Sequence, residues 1–154
     1  MRHALVLTLA TAISACATAP QQKDATLPAA EAAVKPEEIT GFWTGDWGNL
    51  VLKPVGNLVF GAYTHRDGTL VAKLSDGALV GWWTEEPSRA PTGDAGELEV
   101  HFVRDGKALK LLGRYRHGAA GNWHEEWDLH RVDDPSPPEL DDRFNDPSLF
   151  HHHP

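Results

Sequence analysis

The stretch NLVFGAYTHRDGTLVAKLSDGALVGWWTE, residues 57–85, consists of short apolar runs broken by Asp67-Gly68 and Asp76-Gly77. Asp-Gly is the dipeptide that two-residue hairpin turns demand, because both central positions take positive φ. Three strands joined by such turns form an antiparallel meander. The stretch also carries a glycine followed two residues later by an aromatic ring, in Gly61-Ala62-Tyr63 and Gly81-Trp82-Trp83. Residues two apart in a strand share a face, and a ring can cover the bare backbone of a strand glycine. The same tripeptide recurs as Gly41-Phe42-Trp43, Gly113-Arg114-Tyr115 and Gly121-Asn122-Trp123.

Working outward, the pattern holds from residue 40 to 132. Candidate strands are 42–46, 48–54, 57–65, 69–75, 78–85, 97–104, 107–116 and 122–131. Seven to eight antiparallel strands in up-and-down order predict an all-β domain over 39–132, a closed or nearly closed small barrel. The turns set a register. Asp67-Gly68 places Tyr63 opposite Ala72 and His65 opposite Leu70, and Asp76-Gly77 places Ala72 opposite Gly81 and Leu70 opposite Trp83. Taking Val55-Gly56 as a further two-residue loop sets Gly48 opposite Tyr63 and Asp46 opposite His65. Asp105-Gly106 sets Phe102 opposite Leu109 and Glu97 opposite Arg114. In the last strand Trp123, Glu125, Trp127 and Leu129 share one face, and burying the alternative face of His124, Glu126, Asp128 and His130 would be costly. The first set is therefore expected inside, with a bulge near 118–121 bringing Trp123 beside Tyr115.

The flanks differ in composition. Met1-Arg2-His3 precedes an apolar run from Ala4 to Ile13, the charge and length of a secretory signal over residues 1–15. Cys16 is the sole cysteine, so no internal disulfide forms. Residues 16–38 are rich in Ala, Pro, Gln and charge and read as a flexible tether. Residues 133–154 form an acidic, proline-rich tail expected to be disordered, ending in His151-His152-His153-Pro154. The formal charge of −8 argues against a nucleic-acid partner.

Three resemblances follow from these residues. Ile13-Ser14-Ala15-Cys16 resembles a bacterial lipobox, which implies lipidation of Cys16 and attachment to a membrane. Ala17 stands where an inner-membrane retention signal places Asp, so the resemblance implies the periplasmic face of an outer membrane. Thr40-Gly41-Phe42-Trp43-Thr44-Gly45-Asp46-Trp47-Gly48 resembles the opening of avidin and streptavidin, and Gly61-Ala62-Tyr63-Thr64 resembles their Gly-Thr-Tyr strand. Trp127-Asp128-Leu129 is similar to their closing Trp-Leu-Leu. The likeness covers about the first third of the domain and implies an eight-stranded barrel with a pocket at one end. It departs at the ligand positions: Gly45 and Asn49 stand where that family places polar biotin contacts, and Tyr63 alone matches. Short glycine-aromatic barrels also resemble bacterial protease-inhibitor lipoproteins, which usually carry a disulfide.

The expected ligand site is the barrel end holding the 67–68 turn and the 86–96 loop. Tyr63, His65, Trp83, Tyr115 and Trp123 approach it from inside, with Asp46, Glu85 and Glu125 on the same face. Aromatic walls with a few convergent polar groups suit a small apolar ligand; so many tryptophans in so short a chain favour a barrel filled by its own side chains. Glu125 needs a partner if buried, and a bulge would turn it outward. Asp46 with His65, His124 with His130, and the terminal histidines are the metal or acid–base candidates, each also readable as structural or solvated. No nucleophile–base set accompanies them, and the chain is read as a non-enzyme with no cofactor. The alternatives are a binding module for a small ligand or envelope protein, a structural lipoprotein with a filled barrel, and a protease inhibitor.

Overall fold

The computed structural model describes residues 26–150. The signal segment, Cys16 and His151, His152 and His153 lie outside the described residues. Eight strands close into a barrel in sequence order: β1 (Gly41–Gly45), β2 (Gly48–Val55), β3 (Leu58–Tyr63), β4 (Gly68–Ser75), β5 (Ala78–Thr84), β6 (Ala95–Asp105), β7 (Ala108–Tyr115) and β8 (His124–Val132). Antiparallel pairing of β1 with β8, Trp43 opposite Arg131 and Gly45 opposite Leu129, closes the ring and leaves no exposed sheet edge.

Only the Asp76-Gly77 turn keeps the expected register, with Ala72 opposite Gly81 and Leu70 opposite Trp83. Both turn residues have positive φ, 50° and 75°. The other hairpins slip. Tyr63 lies opposite Gly68 because the chain spends Thr64 to Asp67 in a longer loop, with Arg66 and Asp67 left-handed. Gly56-Asn57 and Gly106-Lys107 replace the turns expected one residue earlier, since each needs its glycine first. Leu50 therefore faces Tyr63, and Phe102 faces Leu111. Each slip is an even number of residues, so every side chain keeps its face. The row Gly48, Tyr63, Ala72, Gly81 does not form. Tyr63 instead covers Gly68, where an added Cβ would lie 2.6 Å from the phenol oxygen.

One slip is odd. Between Gly113 and Arg114 the β7–β8 register shifts: Gly113 faces Trp127 but Arg114 faces Glu125. This bulge inverts the faces of β8 above Trp127. Trp127 and Leu129 are buried as expected. Glu125 is exposed opposite Arg114, and His124, itself exposed, stacks on Tyr115, ring centroids 5.1 Å apart.

The lower barrel is filled. Trp43, Leu50, Leu52, Val59, Leu79, Leu98, Phe102 and Leu129 are all at or below 1% exposure. A short helix, α1 (Pro36–Ile39), plugs this end, with Ile39 buried and its carbonyl accepting a 3.0 Å hydrogen bond from the Trp43 indole. The expected tether is thus already docked well before Glu38. Glu31 donates its N–H to the Phe102 carbonyl at 2.7 Å, and the Pro28 carbonyl lies 2.6 Å from His101 Nδ1.

The tail departs further from expectation. Helix α2 (Pro138–Arg143) buries Leu140 against Val51 and Ala62 on the outside of β2 and β3. Phe144 and Phe150 stack at 5.2 Å, and Phe150 meets Phe60 at 5.6 Å. Prolines at 137 and 138 start this helix, as proline is tolerated in a first turn. Three apolar residues in an acidic segment find partners there, because the outer face of β2–β3 is itself apolar at Val51, Phe60 and Ala62, and Lys53 pairs with Asp141 at 2.7 Å.

Candidate functional site

The upper end of the barrel is open. A cavity of about 540 Å³ lies there, lined by Asp46, Trp47, Gly48, Thr64, His65, Arg66, Trp83, Glu85, Tyr115 and His117. Four connections supply it. The β1–β2 turn brings Trp47 over the mouth, the β3–β4 loop brings His65 and Arg66, the start of the β5–β6 loop brings Glu85, and the β7–β8 loop brings His117. Below the cavity Tyr63 and Trp83 form its floor, at 1% and 2% exposure.

Trp47 organises the rings. Its centroid is 4.8 Å from His65, 5.3 Å from Tyr115, 5.3 Å from Trp127 and 5.7 Å from Tyr63. Tyr115 meets Trp83 edge-on at 5.6 Å and 89°. Edge-to-face rings at these separations add about 0.5–1.5 kcal/mol each beyond their burial. The Trp83 indole donates to the Arg116 carbonyl at 3.2 Å. The Trp127 indole N–H, by contrast, is buried with no acceptor among the described residues.

Glu85 is the chemical centre of the mouth. Its side chain is 3% exposed. Tyr63 Oη donates to Glu85 Oε1 at 3.0 Å. Arg66 Nη1 and His65 Nε2 stand 3.6 and 3.9 Å from Oε2. Burial pushes the Glu85 carboxyl above its ordinary value, against the lowering effect of the Tyr63 hydroxyl, His65 and Arg66. Burial also raises the Tyr63 phenol well above its usual value, with the Glu85 charge adding to it. Arg66 is held from behind by an ion pair to Asp94.

The wall carrying His65 and Arg66 is braced from outside by the tail. Arg143 Nη1 donates to the Tyr63 and Gly68 carbonyls at 2.7 and 3.3 Å, and Nη2 to Asp67 at 2.6 Å. Arg89 donates to the Asp67 carbonyl at 2.9 Å and to the Thr69 and Thr84 hydroxyls at 3.3 Å. Thr69 in turn donates to the Leu149 carbonyl at 2.7 Å.

Of the residues expected at the site, His65, Trp83, Tyr115, Asp46 and Glu85 line the cavity and Tyr63 lies beneath it. Trp123 and Glu125 do not. The bulge puts Trp123 outside, its ring 4.6 and 4.7 Å from the Arg114 and Arg116 guanidinium carbons. Arg114 pairs with Glu99 at 2.6 Å and Arg116 with Glu97, in place of the expected Glu97–Arg114 pair. Asp46 and His65 do not form their expected pair: Asp46 accepts the Asp128 N–H at 2.9 Å, and His65 turns toward Glu85. Among the described residues no group of three or more His, Cys, Asp or Glu side chains is placed to hold a metal. Trp47, Arg66 and His117 were missed. Trp47 had a signal, since a tryptophan in a two-residue turn is out of place where Gly, Asn or Asp is the rule.

These features define a closed eight-stranded meander barrel, filled below and open at an aromatic mouth with a buried carboxylate. Comparisons of the chain with protein-family models, curated proteins and solved structures find no match.

Proposed function

We propose that the barrel is a binding module whose mouth takes a small ligand with an apolar body. The observation that carries this is the cavity of about 540 Å³ at the one unplugged end. That volume falls within the roughly 300–1,000 Å³ of small-molecule pockets. Aromatic walls with Arg66, His65 and Glu85 converging match the usual make-up of such sites. The lipobox-like Ile13-Ser14-Ala15-Cys16 supports a lipid-anchored protein of the cell envelope. The Gly41–Gly48 opening supports kinship with avidin-like barrels, although Tyr63, the residue matching a biotin contact, spends its hydroxyl on Glu85. The filled lower barrel favours a second reading, a structural lipoprotein acting through its surface, in which the mouth is only the unfilled top of the core.

The test is tryptophan fluorescence of the full chain carrying Cys16→Ser, titrated with a panel including fatty acids, biotin and small aromatic compounds. A saturable change that is lost in Trp47→Phe is the expected result. A folded protein silent across the panel would overturn the ligand reading and leave the structural one.

A further inference from the structure

Glu85 is an expensive residue in its position. A carboxylate almost withdrawn from water costs several kcal/mol unless it is paired and hydrogen-bonded. Here the pairing is incomplete. Oε1 has the Tyr63 hydroxyl, but Oε2 has no hydrogen-bond donor within reach among the described residues. Arg66 and His65, at 3.6 and 3.9 Å, are beyond hydrogen-bond distance. Arg66 gives its other nitrogen to Asp94. A glutamine would keep the bond from Tyr63 without the charge, so the charge itself asks for an explanation.

The surroundings favour a positive visitor. Among the residues lining the cavity, the carboxylates of Asp46 and Glu85 stand against the single guanidinium of Arg66, which is itself paired with Asp94. The cavity walls are π systems set at steep angles, Trp83 to Tyr115 at 89° and Trp47 to Tyr115 at 69°. Ring faces carry negative potential and attract cations. An anion entering the same space would face Asp46 and Glu85, with the guanidinium of Arg66 already paired.

We propose that the mouth takes an organic cation, an amine or alkylammonium on an apolar or aromatic body, whose charge meets Glu85 Oε2 between Trp47, Tyr115 and Trp83. This rests on the reading of the mouth as a ligand pocket. The body occupies the cavity and the ammonium supplies the donor that Glu85 lacks.

Three probes of one shape and different charge test it: phenethylamine, 2-phenylethanol and 3-phenylpropionate, titrated calorimetrically into the full chain carrying Cys16→Ser. The expected order is amine over alcohol by about tenfold, which is about 1.4 kcal/mol, with the carboxylate weakest. Glu85→Gln should bring the amine down to the alcohol's level and leave the alcohol unchanged. Arg66→Gln should tighten the amine severalfold. Equal binding of amine and alcohol, preference for the carboxylate, or an amine preference that survives Glu85→Gln would overturn the cation assignment while leaving the pocket reading standing. Binding of none of the three overturns the assignment too; the fluorescence panel then decides the pocket separately.

Discussion

Replacing Arg143 by alanine removes the bolt between the tail and the mouth. In the structure its guanidinium serves the Tyr63 and Gly68 carbonyls and the Asp67 carboxylate. The Asp67 side chain is 69% exposed, so that ion pair counts for about 0–1 kcal/mol. The two carbonyl bonds share one nitrogen, and a hydrogen bond from a charged donor contributes about 1.5–3 kcal/mol. The expected loss is therefore about 2 kcal/mol. The tail sets a ceiling: once α2 undocks, no further loss reaches the barrel. Leu140 keeps that ceiling from being trivial, since burying a leucine contributes about 1.5–3 kcal/mol. For a domain of this size a 2 kcal/mol loss lowers Tm by roughly 6–10 °C. Calorimetry reads that shift. Hydrogen exchange mapped by peptide should show residues 64–68 and 138–150 exchanging about 30-fold faster, the ratio that corresponds to 2 kcal/mol, while β6 and β7 are unchanged. An unchanged melting temperature with unchanged exchange at 64–68 would refute the bracing role. Faster exchange in the tail alone would show that α2 docks without holding the mouth.

Trp83→Ala should cost about 3–5 kcal/mol, as for other buried aromatics, and urea melts would read it; a loss under about 1 kcal/mol would mean the floor collapses freely. Trp123→Ala, on the outer face, should cost only about 1–2 kcal/mol from two cation–π contacts and leave probe binding untouched. Gly81→Ala should destabilise by about 1–3 kcal/mol or more, because its Cβ would meet the Val71 carbonyl and lie 2.7 Å from Ala72 Cβ; a neutral melt would contradict the Ala72–Gly81 pairing. Glu85 gives a pH signature. Its folded pKa is raised above the ordinary 4.5, so the folded state holds this proton more tightly than the unfolded chain. Ionising it opposes folding, and its contribution is lost as pH rises from that value through the folded one. The stability of Glu85→Gln relative to the native chain should therefore climb with pH in that window and then level off; a flat difference in urea melts across it would refute the buried-charge assignment.

The barrel was legible because face and strand order depend on parity and turns, which the sequence carries locally. Exact register was not, since Gly56-Asn57 and Gly106-Lys107 compete with the dipeptides one residue earlier and differ only in where the positive-φ glycine falls. Even slips hid that error, and the floor of Tyr63 and Trp83 survived it. The bulge at Gly113 and Arg114 was not forgiving. A single uncounted residue turned Trp123 and Glu125 out and set His124 against the Tyr115 ring, and a bulge of this kind has no composition of its own. The tail was misjudged for a different reason. Its prolines and acids match those of disordered segments, and the apolar strip that receives Leu140, at Val51 and Ala62, belongs to strands far earlier in the chain.

The N-terminal segment has a direction as well as a place. From the plug at α1 it runs back along the outside of the barrel, so that Thr26, Leu27 and Pro28 lie with Asp46, Glu125 and Trp127. The described chain thus begins at the upper half, although the first element it leads to seals the bottom. Were Cys16 fixed in a bilayer, the nine residues 17–25 would reach at most about 30 Å. On that condition the upper half of the barrel, and with it the proposed ligand mouth, would stand within about that distance of the lipid surface.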